Sequence, residues 1–272
     1  MQPRPTLFVS LLLAPLLAAQ TVPPAGPAAG STAQQEVLEL SPFQVTAEAF
    51  KGYYASQTLA GSRLKMNVDE IASSVQIITP EFMQDVGATN LNQLFLFTTS
   101  TEASGINGNF SDFNVGTTST GDQSSRVNPQ GSQRVRGIAG ADLTRNYFLS
   151  LIPSDRFNTE TTEINRGANA ILFGLGSPAG IINNQLKAAN LQKNSLKFEQ
   201  TIGRFDSHRE VLDLNQSIAR GLLGVRVIAL NKKEGYRQQP AFEEDRRVFA
   251  SFKFEPRLIK TGLTQLQVNY EG

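Results

Sequence analysis

The chain has 272 residues with 25 basic and 24 acidic side chains, enough to bury one or two ordinary cores and with no charge excess that would favour nucleic acid. Cysteine is absent, which excludes disulfides, thiolate metal sites and thiol nucleophiles. The single histidine, His208, falls in an expected turn over 204–209, so neither a histidine metal site nor a histidine-paired nucleophile is available, and no Gly-x-Ser-x-Gly elbow occurs.

At the N-terminus Arg4 precedes an apolar run over 7–17 and the small residues Ala18 and Ala19, so residues 1–19 read as an export signal. The run is too short to span a bilayer and contains Pro15; a buried N-terminal helix is the alternative. No other stretch reaches transmembrane-helix length, so any membrane insertion would have to use strands. Residues 20–39 are rich in Pro, Ala and Gly, too poor in apolar bulk to offset chain entropy, and read as a flexible linker. Its core over 21–35 would reach at most about 50 Å when extended.

The linker ends in Leu40-Ser41-Pro42-Phe43-Gln44-Val45-Thr46-Ala47, where Pro42 denies a helix and Phe43, Val45 and Thr46 favour an extended strand. A mobile strand with free backbone groups can add to the edge of a partner sheet. An ordinary first strand of the next unit is the other reading.

Residues 59–190 read as a small mixed unit. Ser74-Val75-Gln76-Ile77-Ile78 is a β-branched strand, and Thr79-Pro80-Glu81 opens a helix with a hydroxyl cap, a first-position proline and an acid at the positive dipole end. Gly87 stops that helix, and Leu91, Leu94 and Phe95 then repeat a helical spacing. From 98 to 131 the chain is polar and dense in Gly, Asn, Ser and Thr, a loop with a binding role or simple disorder. Gln133-Arg134-Val135-Arg136-Gly137-Ile138 is expected as one strand with Arg134 and Arg136 on a common face.

Gly174-Leu175-Gly176-Ser177-Pro178-Ala179 fits the dinucleotide fingerprint, which needs a helix opening at its end. The β-branched, glycine-led Gly180-Ile181-Ile182-Asn183 that follows disfavours a helix. The glycines instead permit a tight reversal beneath another element.

After residue 194 the pattern alternates with period two. Leu196, Phe198 and Ile202; Leu212, Leu214 and Ile218; Val225, Val227 and Ala229; Val248, Ala250, Phe252 and Phe254; and Leu266, Val268 and Tyr270 mark five amphipathic strands. Residues 219–222 form a short turn, and 231–246 a long charged loop. The expected arrangement has an apolar face in lipid and a polar face inward; a soluble antiparallel sandwich would alternate in the same way.

The run from Glu163 to Lys187, with Arg166-Gly167, an apolar segment closed by Phe173-Gly174 and then Gly180 to Asn183, closely resembles the last segment of the plug domain of TonB-dependent outer-membrane receptors. Arg63-Leu64, Val75 to Glu81 and Arg134 to Gly137 hold other places of the family pattern, and Val45-Thr46-Ala47 resembles the end of its TonB box. Ala168 stands where the family usually has Pro, Ala179 replaces one Gly, and Ser41-Pro42-Phe43 departs from a plain β-branched run.

The resemblance implies an α+β plug domain followed by the first antiparallel strands, 194–272, of an incomplete transmembrane β-barrel. It implies residues 40–47 as the TonB-binding segment. It also implies a plug turn at Gly167, Gly174, Gly176, Gly180 and Asn183, and a ligand-facing loop including Asn107, Asn109, Phe110, Asp112 and Phe113. Plug–barrel ion pairs are expected at Arg134, Arg136 and Arg166.

The expected activity is energised uptake across the outer membrane of a Gram-negative cell, with TonB, outer-membrane lipid and an extracellular ligand as partners. No catalysis, cofactor, metal or nucleic acid is expected. Iron–siderophore, cobalamin, nickel-chelate and oligosaccharide ligands all remain open. A passive porin or adhesin and a periplasmic dinucleotide enzyme are the rival readings. Plugged transporters of this kind close on the order of twenty-two strands, so the chain is expected to be the N-terminal part of a longer receptor.

Overall fold

The structure is a computed structural model that describes residues 50–60, 64–103, 133–167, 177–256 and 264–272. In chain order the strands are β1 (Phe50–Lys51), β2 (Tyr54–Ala55), β3 (Gln57–Thr58), β4 (Met66–Asn67) and β5 (Ser74–Ile78). Helices α1 (Pro80–Asp85) and α2 (Leu91–Phe95) follow, then β6 (Thr101–Ala103), β7 (Gln133–Val135), β8 (Asp142–Arg145), β9 (Phe148–Leu149), β10 (Thr159–Arg166) and β11 (Gly180–Leu186). The last five strands are β12 (Ser195–Ile202), β13 (His208–Ala219), β14 (Leu223–Gly235), β15 (Phe242–Phe254) and β16 (Leu266–Glu271).

Both helices start where their caps require. The Thr79 hydroxyl accepts from Phe82 N with Pro80 in the first turn, and α1 stops before Gly87, which sits at φ +69°. Asn90 accepts from Gln93 N at 3.0 Å, while the Gln93 amide reaches back to Thr89 N at 2.8 Å, so the two side chains close the start of α2 together. Met83, Leu91, Leu94 and Phe95 are buried with Ile78, Ile164 and Ile182 of the sheet behind them. That sheet has the order β5-β10-β11-β8-β9; β11 and β8 are parallel and its other neighbours antiparallel.

The remaining strands form an antiparallel meander, β12-β13-β14-β15-β16. Its register lines up apolar rows on one face: Phe198–Leu212–Ala229–Val248, then Leu196–Leu214–Val227–Ala250–Tyr270. Leu196, Phe198, Leu212, Leu214, Val268 and Tyr270 are all exposed on it. Beyond these rows the same face turns polar at Gln200–Glu210–Asn231–Arg246. Among the described residues no helix is long and apolar enough to cross a membrane.

Four sequence expectations change. The strand over 133–138 ends at Val135, because Arg136 and Gly137 both take positive φ and fold Ile138 and Ala139 back onto Val135. Arg134 and Arg136 therefore do not share a strand face. The polar stretch after Thr98 opens with β6, which pairs with β7; residues 104–131 lie outside the described residues. The charged stretch 231–246 is mostly paired strand, with Asn231↔Arg246 through Gly235↔Phe242 continuing the β14–β15 ladder. His208 is the first residue of β13, paired with Ile202 and Lys233, rather than a turn residue.

A fifth difference bears on the site. The inward face of the meander is not uniformly polar: Val211, Ile228, Leu230 and Phe249 are buried there around Phe157 of the α+β unit, with Leu186 packed alongside. Alternation had marked the outward residues of each strand; the apolar inward ones break that pattern only where they meet the unit.

Candidate functional site

The α+β unit docks on the inward face of the meander through two ionic networks on either side of this apolar patch. The first centres on Asp155, which lies just before β10 and is 5% exposed. Its carboxylate accepts from Phe157 N at 2.8 Å and from Arg209 of β13 at 2.6 Å, and Arg247 of β15 stands 3.8 Å away.

The network spreads from there. Arg209 and Arg156 share Glu199 of β12. Arg247 and Arg145 share Glu271 of β16 and both donate to Pro153 O at 3.0 Å. Arg247 also pairs with Asp245 at 2.6 Å and lies 5.0 Å from the centre of the Phe157 ring. Four guanidiniums thus face four carboxylates, so the buried charge is neutralised within the interface.

The second network sits near the chain's passage from unit to meander. Arg226 of β14 grips Asp213 of β13 with two parallel bonds at 2.9 and 2.7 Å and approaches Glu160 of β10 at 3.8 Å. Lys187 donates to Phe157 O at 2.9 Å and stands 3.9 Å from Asp213. Burial, helped by the Arg226 charge, pulls the Lys187 ammonium down to about 8. The connecting residues are held by Asn215, whose amide donates to Asn190 O at 3.0 Å and Lys193 O at 2.6 Å.

Inside the unit a third cluster surrounds Glu163 of β10, which is 3% exposed. Thr58 donates to one carboxylate oxygen at 2.7 Å; Tyr147 and, at 3.4 Å, Asn183 donate to the other. Burial pushes the Glu163 carboxyl upward and these donors pull it back. Burial, reinforced by the Glu163 charge, pushes the Tyr147 phenol far above its ordinary value.

Two of the three arginines singled out in the sequence, Arg134 and Arg166, have plug-side partners. Arg134 pairs with Glu102 of β6 at 2.8 Å. Arg166 donates to Gln76 and, at 2.6 Å, to Thr99 O, and burial together with the Arg136 charge lowers its affinity for its proton. No ion pair joins Arg136 or Arg166 to a carboxylate among the described residues. The ion pairs that cross to the meander use Arg145, Arg156, Glu160, Asp155 and Lys187 on the unit side. Their signal in the sequence was weak but present: Arg209, Asp213, Arg226 and Arg247 all occupy the inward positions of strands whose outward positions are apolar.

Of the expected turn residues, Gly174 and Gly176 lie outside the described residues, as do residues 40–47 and the loop residues Asn107, Asn109, Phe110, Asp112 and Phe113. Gly167 takes φ +105°. Gly180 takes φ +118°, and a Cβ there would stand 2.0 Å from Asn165 O. Asn183 accepts from Tyr147 N at 2.7 Å and from Thr144 at 3.1 Å, fixing the β8–β9 turn. Gly180→Ala is expected to cost about 1–3 kcal/mol through overpacking against backbone that cannot yield, measured as a lowered thermal midpoint.

A five-stranded mixed sheet backed by two short helices, seated on the inward face of an antiparallel meander that is apolar outside, is the arrangement of a plugged barrel receptor. Residues 67–181 match the family model described as the TonB-dependent receptor plug domain. Residues 67–181 are thus similar to the plug domain of TonB-dependent receptors, and the antiparallel strands that follow them share the fold of solved receptors of that kind.

Among relatives, the catecholate siderophore receptor Fiu of Escherichia coli K12 is 25% identical over 171 residues, 61% of this chain and 20% of its own length. The chain thus spans about a fifth of the curated relatives it matches. Solved structures share the fold. The open form of the E. coli ferric-catecholate import receptor Fiu superposes with TM-score 0.62 at 22% identity, over 82% of this chain and 30% of that one. The Pseudomonas aeruginosa ferripyoverdine receptor bound to ferripyoverdine gives 0.64 at 17%, over 80% and 28%. The Bordetella pertussis alcaligin receptor FauA gives 0.60 at 19%, over 81% and 35%.

Proposed function

We propose that the chain forms the plug and first wall strands of an energised importer that carries a ferric siderophore across the outer membrane. The observation that carries this reading is the plug-family match over 67–181 on a unit docked, through ionic networks, to strands whose opposite face is a continuous apolar surface. In this reading the rows from Phe198 to Val248 and from Leu196 to Tyr270 touch acyl chains, and polar residues begin at the level of Gln200 and Arg246. The siderophore class follows the relatives and structural neighbours, which are named as receptors for catecholates, pyoverdine and alcaligin.

Residues 1–19 direct export, 20–39 act as the tether, and Leu40 to Ala47 add a strand to TonB. Residues 107–113 face the ligand. Arg136 and Arg166, close enough for one to depress the other's proton affinity, offer a cationic pair for an acidic group of the wall, and Arg134 offers a third charge from β7. The chain performs no chemistry on its cargo.

The test is deletion of residues 40–47 from the gene, with uptake of radioiron-loaded catecholate siderophore as the readout. Uptake is expected to drop to the level of a strain lacking the gene, while ligand binding at the cell surface persists. Uptake that survives the deletion would reject energy coupling and favour a passive pore.

A further inference from the structure

The N-terminal segment, residues 50–60, meets the plug at two places of different character. The outer one is open to water: Tyr53, 56% exposed, donates to Asp85 at 2.7 Å and sets its ring edge-on to Phe82 at 5.2 Å. The inner one is sealed. Thr58 has no exposed surface, pairs with Met66 in the β3–β4 ladder, and donates its hydroxyl to Glu163 at 2.7 Å.

The Glu163 carboxylate is shared. Its second oxygen takes the Tyr147 hydroxyl, and Tyr147 stands with Asn146 in a two-residue turn where both have positive φ, +66° and +48°. Such a turn, with two non-glycine residues in the left-handed region, persists only while its surroundings hold it. Those surroundings are Glu163 and Asn183 at Tyr147, and the Asn146 side chain on Leu186 N at 2.9 Å. From the turn the chain runs through Phe148, Leu149, Leu151 and Ile152, all exposed, to Pro153 and Asp155 on the meander.

We propose that Glu163 is a latch joining two segments 89 residues apart in sequence, Thr58 and Tyr147: the N-terminal segment leaves the plug only when Thr58 leaves Glu163, and that departure loosens the turn at Asn146–Tyr147 in the same event. A buried carboxylate that loses one of its donors must recruit another group or water, and that rearrangement acts on Tyr147, which already shares the carboxylate. The Tyr53 contact has no such link, because its partners belong to α1, Asp85 on the exposed side of the helix and Phe82 packed on the core away from Glu163. Direction of release from the N-terminal side rests on the importer reading above; the coupling between the two segments does not.

The experiment is hydrogen exchange by mass spectrometry on the membrane-embedded protein without TonB, comparing peptides covering 53–60 and 143–150 with peptides from β13 and β14. Thr58→Val, which keeps the shape and loses the donor, should speed exchange in both 53–60 and 143–150 by about ten- to a hundredfold, the loss of one charge-assisted hydrogen bond, with β13 and β14 unchanged. Glu163→Gln should do the same, Tyr53→Phe should speed 53–60 alone, and Thr58→Ser should behave as the parent.

The proposal is overturned if Thr58→Val and Glu163→Gln accelerate 53–60 while leaving 143–150 at the parental rate, if they leave both unchanged, or if exchange rises equally throughout the chain. Because exchange is read without TonB or ligand, survival of uptake after deleting residues 40–47 would reject the importer while leaving this coupling intact.

Discussion

Asp155→Ala is expected to destabilise the docked plug by about 3–5 kcal/mol, the cost of removing one partner from a buried ion pair. Asp155 and Arg209 are both almost fully buried, so the guanidinium left behind cannot regain water without opening the interface. Its remaining partner, Glu199 at 3.4 Å, is already engaged by Arg156. The loss also frees Phe157 N, which Asp155 accepts from, and removes the acid that Arg247 approaches.

Thermal unfolding in detergent micelles, followed by circular dichroism, measures the effect. The same substitution at Asp206, whose pair with Lys233 is exposed, should produce no comparable shift. Pairing Asp155→Ala with Arg209→Met should recover part of the loss, because the double variant leaves no isolated charge behind. A single-variant cost below about 1 kcal/mol would mean that water already screens the network.

How much of this was legible beforehand follows from which interactions are local. The starts of α1 and α2 are written in Thr79-Pro80-Glu81 and Asn90, because capping acts over three residues, and the structure uses those caps. The outward apolar residues of the five strands are equally local, since period two needs no partner to be read. The resemblance carried by Arg166, Gly167, Gly180 and Asn183 placed the family. What it could not place were contacts decided by two distant segments. Arg136 read as strand because alternation is blind to φ, and only the fold shows the left-handed turn that removes it. The inward apolar patch was missed for a related reason: Ile228 and Leu230 interleave with Val227 and Ala229, so β14 reads as apolar on both faces and gives no hint which side meets Phe157. The network at Asp155 joins residues 54 positions apart, and nothing near Asp155 in sequence announces Arg209.

Phe157→Ala should cost about 3–5 kcal/mol, the usual range for emptying a buried aromatic site. Phe157 is 1% exposed and is the fully buried plug side chain among Val211, Ile228, Leu230 and Phe249 of the meander, with Leu186 packed beside them. Both walls of the resulting cavity are β-sheet, whose hydrogen-bonded strands restrict the collapse that would relieve it. The Arg247 guanidinium over the ring loses a cation–π partner as well. Phe157→Leu, which refills most of the volume, should lose far less, about 1–1.5 kcal/mol.

The comparison that isolates docking is Phe252→Ala on the opposite face of β15, where the ring is exposed; it should leave the plug's exchange protection unaltered even if it affects insertion. Phe157 and Asp155 are also joined through the bond from Phe157 N to the Asp155 carboxylate, so their substitutions should combine to less than the sum of the two. Strict additivity would instead show that the ionic network and the apolar patch hold the plug to its wall as two independent fastenings, and that releasing one leaves the other closed.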